Sequence, residues 1–415
     1  MQGKRPPVIV LGAEEPTAGL VAVRELGERG VPVHAIFRSR AAALYSRWLT
    51  QGYMRPADVD GTIALINAIA ERAGPAFLIG MTEIDLRILR AADDEGRLRG
   101  IRLLAPTATQ LRIVNDKAQT YALAAELGIP VPRSWHPASA TEAAEPPDDL
   151  GYPCVLKWID PVGMAPLLER HRIKLLKVEY CAERKALREA LLRYDPVGSY
   201  PVVQEYHPGV AEAYCLFMHQ GRPLLRFRHH RPSEWPIGIA ARAVSQALEA
   251  NDVLMEKSAE LLQHIGWEGA AMFEYRRDPV SKRTVLLDLN GRFWTGQALA
   301  YHSGAPFVWL TYAVLGLEEP VAVAPYRAGV VCMGAVSELS RLYALMFRPS
   351  ALREPGKKYK FHTEVARFVR ALCDPRTRYY VFSWRDPMPL VADTVLKAMR
   401  AVAALYRRRR GARTS

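Results

Sequence analysis

Near the N-terminus, apolar runs and helical repeats take turns along the chain. VIVLG is a continuous apolar run entering a turn, LVAVRELGERG has a helical period, and VPVHAIF begins another strand. Pro7–Ile36 therefore predicts strand, turn, helix, strand. Ala76–Met81 (AFLIGM) reads as a strand and Ile84–Ala92 as a helix, an alternation that argues for an α/β layer over a mostly parallel sheet. The Gly12–Gly19 turn does not match GxGxxG, so a dinucleotide site has only a weak claim here.

A second unit begins near Pro106. Thr109–Leu127 favours helix, and GIPVP, the dipeptide SW and a Pro/Ala/Glu-rich connector over His136–Asp149 follow. YPCVLKW is a short strand, Ala182–Leu192 a helix and PVVQEYHPG another strand. Glu212–Arg228 alternates around a turn at Gly221, as a hairpin does, and Asn251–Ile265 is helical. AAMFEY and VLLDLN predict two antiparallel strands around RRDPVSKR, which puts Glu274 and Asp288 on neighbouring strands. From Tyr326 the pattern turns to Arg-rich amphipathic segments broken by REPGKK and DPRTR. The last of these, Leu390–Tyr406, is an amphipathic helix leading into RRRRGARTS.

Composition narrows the class. The 415 residues are 49% hydrophobic and 24% charged, enough for a substantial core and for more than one domain. The five cysteines form no zinc or redox spacing, which fits buried thiols in a reducing compartment. The run from Val8 ends at Glu14 and Glu15 and lacks a signal-peptide cleavage pattern. Ala305–Leu317, the best apolar stretch, is too short to span a bilayer and reads as a buried segment. The expected localisation is cytoplasmic.

The net charge of +13 is unevenly placed: from Val321 onward 19 Lys/Arg face 6 Asp/Glu, so the preceding body is neutral. The basic end is either a solvated tail or a peripheral contact with an anionic membrane or acidic polymer. Leu390, Val391, Val395, Leu396, Met399, Val402 and Leu405 give its helix one apolar side. Nucleic acid is disfavoured, because no DNA- or RNA-binding motif accompanies the charge.

Three features carry candidate chemistry. Glu274, Asp288 and Asn290 form an oxygen-rich set of the kind Mg²⁺ takes together with nucleotide phosphates, and the spacing of two puts Asp288 and Asn290 on one strand face. Arg292 adds a fixed positive charge suited to phosphate. Taken alone, this acid pair fits a solvated hairpin equally well. Lys157 interrupts an apolar strand, where a charge needs a cleft or a partner, and Lys117 begins the helix after NDK. VVQEYHPG, followed by Glu212, is a strand that becomes an extended linker able to present backbone groups to an adenine edge, with an acid behind it for ribose hydroxyls.

In this order the pieces resemble the ATP-grasp superfamily over roughly residues 7–320, nearest to its carboxylate–amine ligase-like members, some of them similar to D-aspartate ligases and envelope-polymer enzymes. The resemblance implies an N-terminal parallel-sheet α/β domain (1–106), a two-part nucleotide clamp (107–198 and 199–325, the latter with the metal site) and a basic C-terminal extension (326–415). It implies ATP and Mg²⁺ as cofactors, with Mn²⁺ as substitute. NDKAQTYALAAELGIPVP and YPCVLKW resemble the two lysine segments, making Lys117 and Lys157 phosphate contacts. Gln204, Glu205, Tyr206 and His207 match the adenine hinge and Glu212 the ribose acid. MFEY and LLDLNGRFW resemble the metal strands, with Glu274, Asp288 and Asn290 as ligands and Arg292 over the reacting phosphate. Arg231, in a basic HHR run, is a further phosphate or carboxylate contact.

The implied reaction joins a carboxylate to an amine through an acyl phosphate. Carboxylation through carboxyphosphate and non-catalytic ATP binding are the rivals. The implied partners are an amino-acid-like carboxylate and an amine, and a homodimer is compatible. Two departures stand out. Asp288 and Gly291 occupy positions where many members have Glu and Pro. The lid WIDPVGMAPLLERHRIKLLKV holds a single glycine, Gly163, leaving His171, Arg172 or Lys174 as substitute donors.

Overall fold

The computed structural model describes residues 5–411 except 16, 159–160, 177, 236–238, 250, 353 and 356–358, and only the backbone at 161–162, 350–351, 401 and 404–411. Lys4 of the N-terminal basic pair and the end of the tail beyond 411 thus lie outside the described residues, as do parts of the lid and the side chains of the arginine run from 407.

The N-terminal layer is a five-stranded parallel sheet, β1 (Val8–Leu11), β2 (Val33–Phe37), β3 (Gln51–Met54), β4 (Ala76–Gly80) and β5 (Ile101–Leu103), in the order β3-β2-β1-β4-β5. β1 and β2 are buried along their whole length, as strands covered on both faces by helices must be. Helices Ala18–Gly27, Val59–Ala73 and Glu83–Asp94 make the crossovers. Asp58 caps the second through Gly61 N at 2.6 Å, and Thr82 caps the third through Asp85 N at 3.1 Å.

A small antiparallel sheet follows: β6 (Ser134–Trp135), β7 (Cys154–Lys157), β8 (Glu179–Cys181) and β9 (Val202–Glu205), ordered β6-β9-β7-β8. It has a core of its own, including Leu156, Leu168, Leu187, Leu191 and Val203, so it forms a separate lobe. Cys154 and Cys181, thiols distant in sequence, face each other across β7 and β8, both reduced and buried.

The large sheet runs β14-β13-β10-β11-β12-β15-β16, from β10 (Val210–His219), β11 (Arg222–Glu234), β12 (Ala240–Gln246), β13 (Gly269–Arg277), β14 (Thr284–Asn290), β15 (Val331–Met333) and β16 (Thr377–Tyr379). Its back shares one hydrophobic core with the N-terminal layer, in which Leu20 and Val23 join Phe217, Phe227, Trp294 and Phe307. Ala305–Leu317 is part of that core, as a short helix Phe307–Leu310 continuing into a wider helical turn over Thr311–Gly316.

Two expectations change here. Thr109–Leu127 is two helices, Ala108–Asn115 and Lys117–Glu126, because the Asp116 carboxylate accepts from Ala118 N at 2.9 Å and Gln119 N at 3.2 Å and restarts the helix. The region past Tyr326 does not stand apart as an extension. β12 would otherwise be an open edge, and β15 pairs with it from Arg242↔Met333 to Val244↔Val331. Asp386 then ties this region to the N-terminal layer, accepting from Arg24 Nε at 2.9 Å, Ser46 Oγ at 2.7 Å and Arg47 N at 3.0 Å. Among the described residues no helix is long and apolar enough to cross a membrane.

Candidate active site

The register of β13 on β14 sets Glu274 directly opposite Asp288, and Met272 opposite Asn290. A bulge at Leu287 interrupts the pairing just beyond, a common device for re-aiming side chains beside a site. The Leu287 carbonyl accepts from Tyr121 Oη at 2.8 Å, which holds the helix bearing Lys117 against the bulge. Lys117 is the first residue of that helix, and its Nζ lies 3.4 Å from Asp288 Oδ1. Burial pulls the Lys117 ammonium down, but Asp288 and Tyr121 outweigh it and its pKa ends above the ordinary value. Burial pushes the Asp288 carboxyl up, Lys117 opposes this, and the neighbouring Glu274 adds to the rise.

Arg231 reaches the other acid, its Nη2 2.5 Å from Glu274 Oε1 and its Nε 3.3 Å from Glu234. Burial alone would raise Glu274. Arg231, Lys157 and Lys117 more than offset that and hold the carboxyl below its usual value. Lys157 ends β7 in the small lobe and donates to Gln204 Oε1 at 3.2 Å. The Gln204 amide in turn donates to Tyr121 Oη and to Ser134 Oγ, both at 3.1 Å. Burial, then the charge of Lys117, lowers Lys157 to about 8, with Glu274 and Asp288 opposing. A lysine so placed is short of anionic partners, and a phosphate would supply one.

Of these side chains Lys157, Gln204, Arg231 and Glu274 line a cleft of about 80 Å³ between the two sheets, with Tyr180, Tyr206, His207 and Arg276 on its other walls. In the hinge segment, Glu205 N is spent on Arg133 O at 2.8 Å and Tyr206 N on Pro153 O at 3.0 Å. The Glu205 carboxylate lies 3.7 Å from Arg283, and the ring of His207 meets the Arg283 carbonyl at 3.1 Å. Tyr206 Oη donates to Glu354 Oε1 at 3.1 Å and to Pro355 O at 2.9 Å, and Arg276 also binds Glu354. A C-terminal residue thus braces two wall residues of the cleft, a contribution no sequence spacing signals.

The structure does not bring every expected residue to this group. Ala213 pairs with Glu274, so Glu212, one position earlier, points to the opposite face of the sheet. There it is buried against Arg228 at 3.0 Å. Arg292 turns to the N-terminal layer, donating to Glu83 Oε1 and to the Phe293 carbonyl, both at 3.0 Å. Gly291 before it has no room for a side chain, because the Trp267 ring lies against its Cα. The glycine-poor lid forms a helix over Pro161–Arg170, and His171, Arg172 and Lys174 after it are exposed.

Beyond Arg292, at the carboxyl ends of β1, β2 and β4, sits a second group of charges. Buried Asp85 binds Arg55 at 2.5 Å and Arg38 at 3.3 Å, and accepts from Thr82 Oγ1 at 2.6 Å. Arg38 and Arg55 border a cavity of about 420 Å³. The cavity opens beyond the ends of β2 and β3, to one side of the point where strand order reverses between β1 and β4.

The side chains fit a magnesium nucleotide. Among the described residues no three His, Cys, Asp or Glu side chains cluster closely enough to hold a metal by themselves. Two facing carboxylates suit Mg²⁺, which completes its shell with phosphate oxygens and water, and Lys157, bonded to neutral Gln204, suits the phosphate.

No protein-family model matches the chain. It is 24% identical over 349 residues, 79% of its length, to the arginine-specific large chain of carbamoyl phosphate synthase from Halalkalibacterium halodurans, and spans about a third (32%) of that relative. N5-carboxyaminoimidazole synthetase from Staphylococcus aureus superposes with a TM-score of 0.62 at 12% identity, over 83% of this chain and 86% of that one. The biotin carboxylase domain of the Hydrogenobacter thermophilus 2-oxoglutarate carboxylase, solved with MgADP, ADP and bicarbonate, gives 0.59 at 15% over 78% and 73%. L-amino acid ligase from Bacillus licheniformis gives 0.54 at 14% over 75% and 74%. The fold is the ATP-grasp fold, of the type shared by biotin carboxylases and ATP-grasp ligases.

Proposed function

We propose that this protein transfers the γ-phosphoryl group of ATP to a carboxylate oxygen and then lets an amine displace the phosphate, giving an amide, ADP and phosphate. One observation carries the reading: Glu274 faces Asp288 in register, with Lys117, Lys157 and Arg231 gathered around the pair. Glu274, Asp288 and Asn290 would hold Mg²⁺ or Mn²⁺, which when bound neutralises charge on the transferring oxygens. Lys157, cationic below about pH 8 and oriented by Gln204, supplies positive charge to the phosphates from the small lobe. Lys117 does so from the opposite side. Arg231 keeps Glu274 ionised in a buried setting. Gln204, Glu205, Tyr206 and His207 form the adenine side of the cleft.

Arg292 links the metal strand to the N-terminal crevice, where Arg38 and Arg55 suit the substrate carboxylate. Closure of the small lobe keeps water from the acyl phosphate. Likeness to the L-amino acid ligase supports amide formation. A second reading, carboxylation through carboxyphosphate, draws support from likeness to the carboxylase domain solved with bicarbonate.

The test is incubation with Mg-ATP and pooled carboxylates and amines, following ADP and identifying condensed products by mass. A Glu274→Gln, Asp288→Asn double variant is the control. A new amide together with ADP, both missing in the control, is the expected result. Bicarbonate-dependent ADP release without an amide would favour carboxylation. Mg-ATP binding without any product would favour a non-catalytic binding role, and no binding at all would end the ATP-grasp reading of the site.

A further inference from the structure

The helix Ala335–Phe347 packs Leu342 and Ala344 inward yet leaves a second apolar stripe in water. Val336, Leu339, Tyr343, Met346 and Phe347 stand between 52% and 62% exposed, while its charged residues, Glu338 and Arg341, are buried. Arg341 donates to Glu364 at 2.8 Å and lies 3.6 Å from Glu338, so the charges are consumed on the protein side. A surface helix ordinarily shows the reverse arrangement, and a contiguous exposed apolar stripe marks an interaction site.

Two further helices of the same region also expose apolar residues. In Phe361–Cys373, Phe361, Val369 and Leu372 are exposed beside Arg367 and Arg370. In Met388–Gly411, Met388, Val391, Val395, Met399 and Val402 are exposed at helical spacings of three and four residues. Trp384, just ahead of that helix, is 88% exposed. Exposed Arg348, Arg376, Arg378, Arg385 and Lys397 are interspersed. The whole net charge of the chain belongs to this stretch, 19 basic residues against 6 acidic ones from Val321 onward.

We propose that the C-terminal region is a docking surface for an anionic lipid bilayer, on which these helices lie with their apolar stripes in the headgroup layer. Charge and apolarity occur together, as interfacial helices require. A second copy of the chain fits poorly: a two-fold interface would set this positive region against itself. Nucleic acid would use the cations but leave the apolar stripes in water. Among the described residues no helix qualifies to span, so the contact is peripheral.

Flotation of the full chain with neutral phosphatidylcholine vesicles, and with vesicles containing phosphatidylglycerol, tests this. Retention on the anionic vesicles is expected to exceed that on neutral ones by about tenfold and to fall with salt. Leu339→Ser with Phe347→Ser should lower it by about tenfold, with the fold retained at the assay temperature because both side chains are more than half exposed. Val280→Ser, an apolar residue 88% exposed in the turn between β13 and β14, should have no effect. Equal retention on both vesicles, or none on either, overturns the proposal. So does a concentration-dependent dimer dissolved by the double variant, which would assign the stripes to a second copy. Duplex DNA displacing the vesicles at equal ionic strength would overturn it in favour of nucleic acid.

Discussion

Replacing Glu212 by Gln separates two roles this residue could have. As a ribose contact it would matter for nucleotide binding, and losing a charged acceptor there would weaken Mg-ATP by about 10–100-fold. In the structure it sits on the opposite sheet face, within 3.0 Å of Arg228, and both side chains are almost wholly buried. Breaking a buried pair costs about 3–5 kcal/mol when the surviving charge is stranded. Arg228 is not stranded, since it keeps Glu249 at 2.8 Å, Asp252 at 3.2 Å and the Tyr214 ring at 5.0 Å. Glutamine also retains one acceptor oxygen of the same reach. The expected loss is therefore about 2 kcal/mol. A loss of that size lowers the thermal midpoint by about 2 °C in a chain of this size. Calorimetry of Mg-ATP binding at a temperature well below the midpoint should show affinity changed by less than about threefold. An unchanged midpoint with a tenfold weaker affinity would refute the assignment of Glu212 to the back of the sheet.

Lys157→Met should weaken Mg-ATP by tenfold or more in titration calorimetry, leaving the fold intact, because the site loses a buried cation whose partner Gln204 is neutral. In the native chain Lys157 is deprotonated above about pH 8 when no nucleotide is present, so binding above that pH takes up a proton and apparent affinity falls as pH rises through it. Calorimetry in buffers of different ionisation heat should detect the uptake, and its absence in Lys157→Met assigns it. Gly291→Ala forces a methyl against the Trp267 ring and should cost about 1–3 kcal/mol in denaturant unfolding, with a change in tryptophan emission. Asp386→Ala leaves Arg24 buried without its carboxylate and should cost about 3–5 kcal/mol, opening the C-terminal region to limited proteolysis.

Strand and helix identities along the first half were legible because burial on both faces writes continuous apolar runs and helices write a repeat near 3.6. The acid pair was legible too, since two strands joined by RRDPVSKR can only be antiparallel neighbours, and Glu274 does meet Asp288. Lys157 showed itself as a charge inside an apolar strand, and its cleft position follows from the cost of burying it elsewhere. Local chemistry of this kind is carried by residues close in sequence, so a single chain displays it.

Register and long-range packing are a different matter. One residue of phase sends Glu212 to the back of the sheet, and that phase is set by pairing with β11 and β13, strands whose alignment no local pattern records. Arg292 finds Glu83 209 positions away, and Glu354 reaches Tyr206 and Arg276 only because the C-terminal strands complete the large sheet. The basic ending looked like a loose extension by composition. Only the tertiary structure turned its charges inward at Glu338 and Arg341 and its apolar stripe outward, because burial is decided by which neighbours fill the space around a side chain.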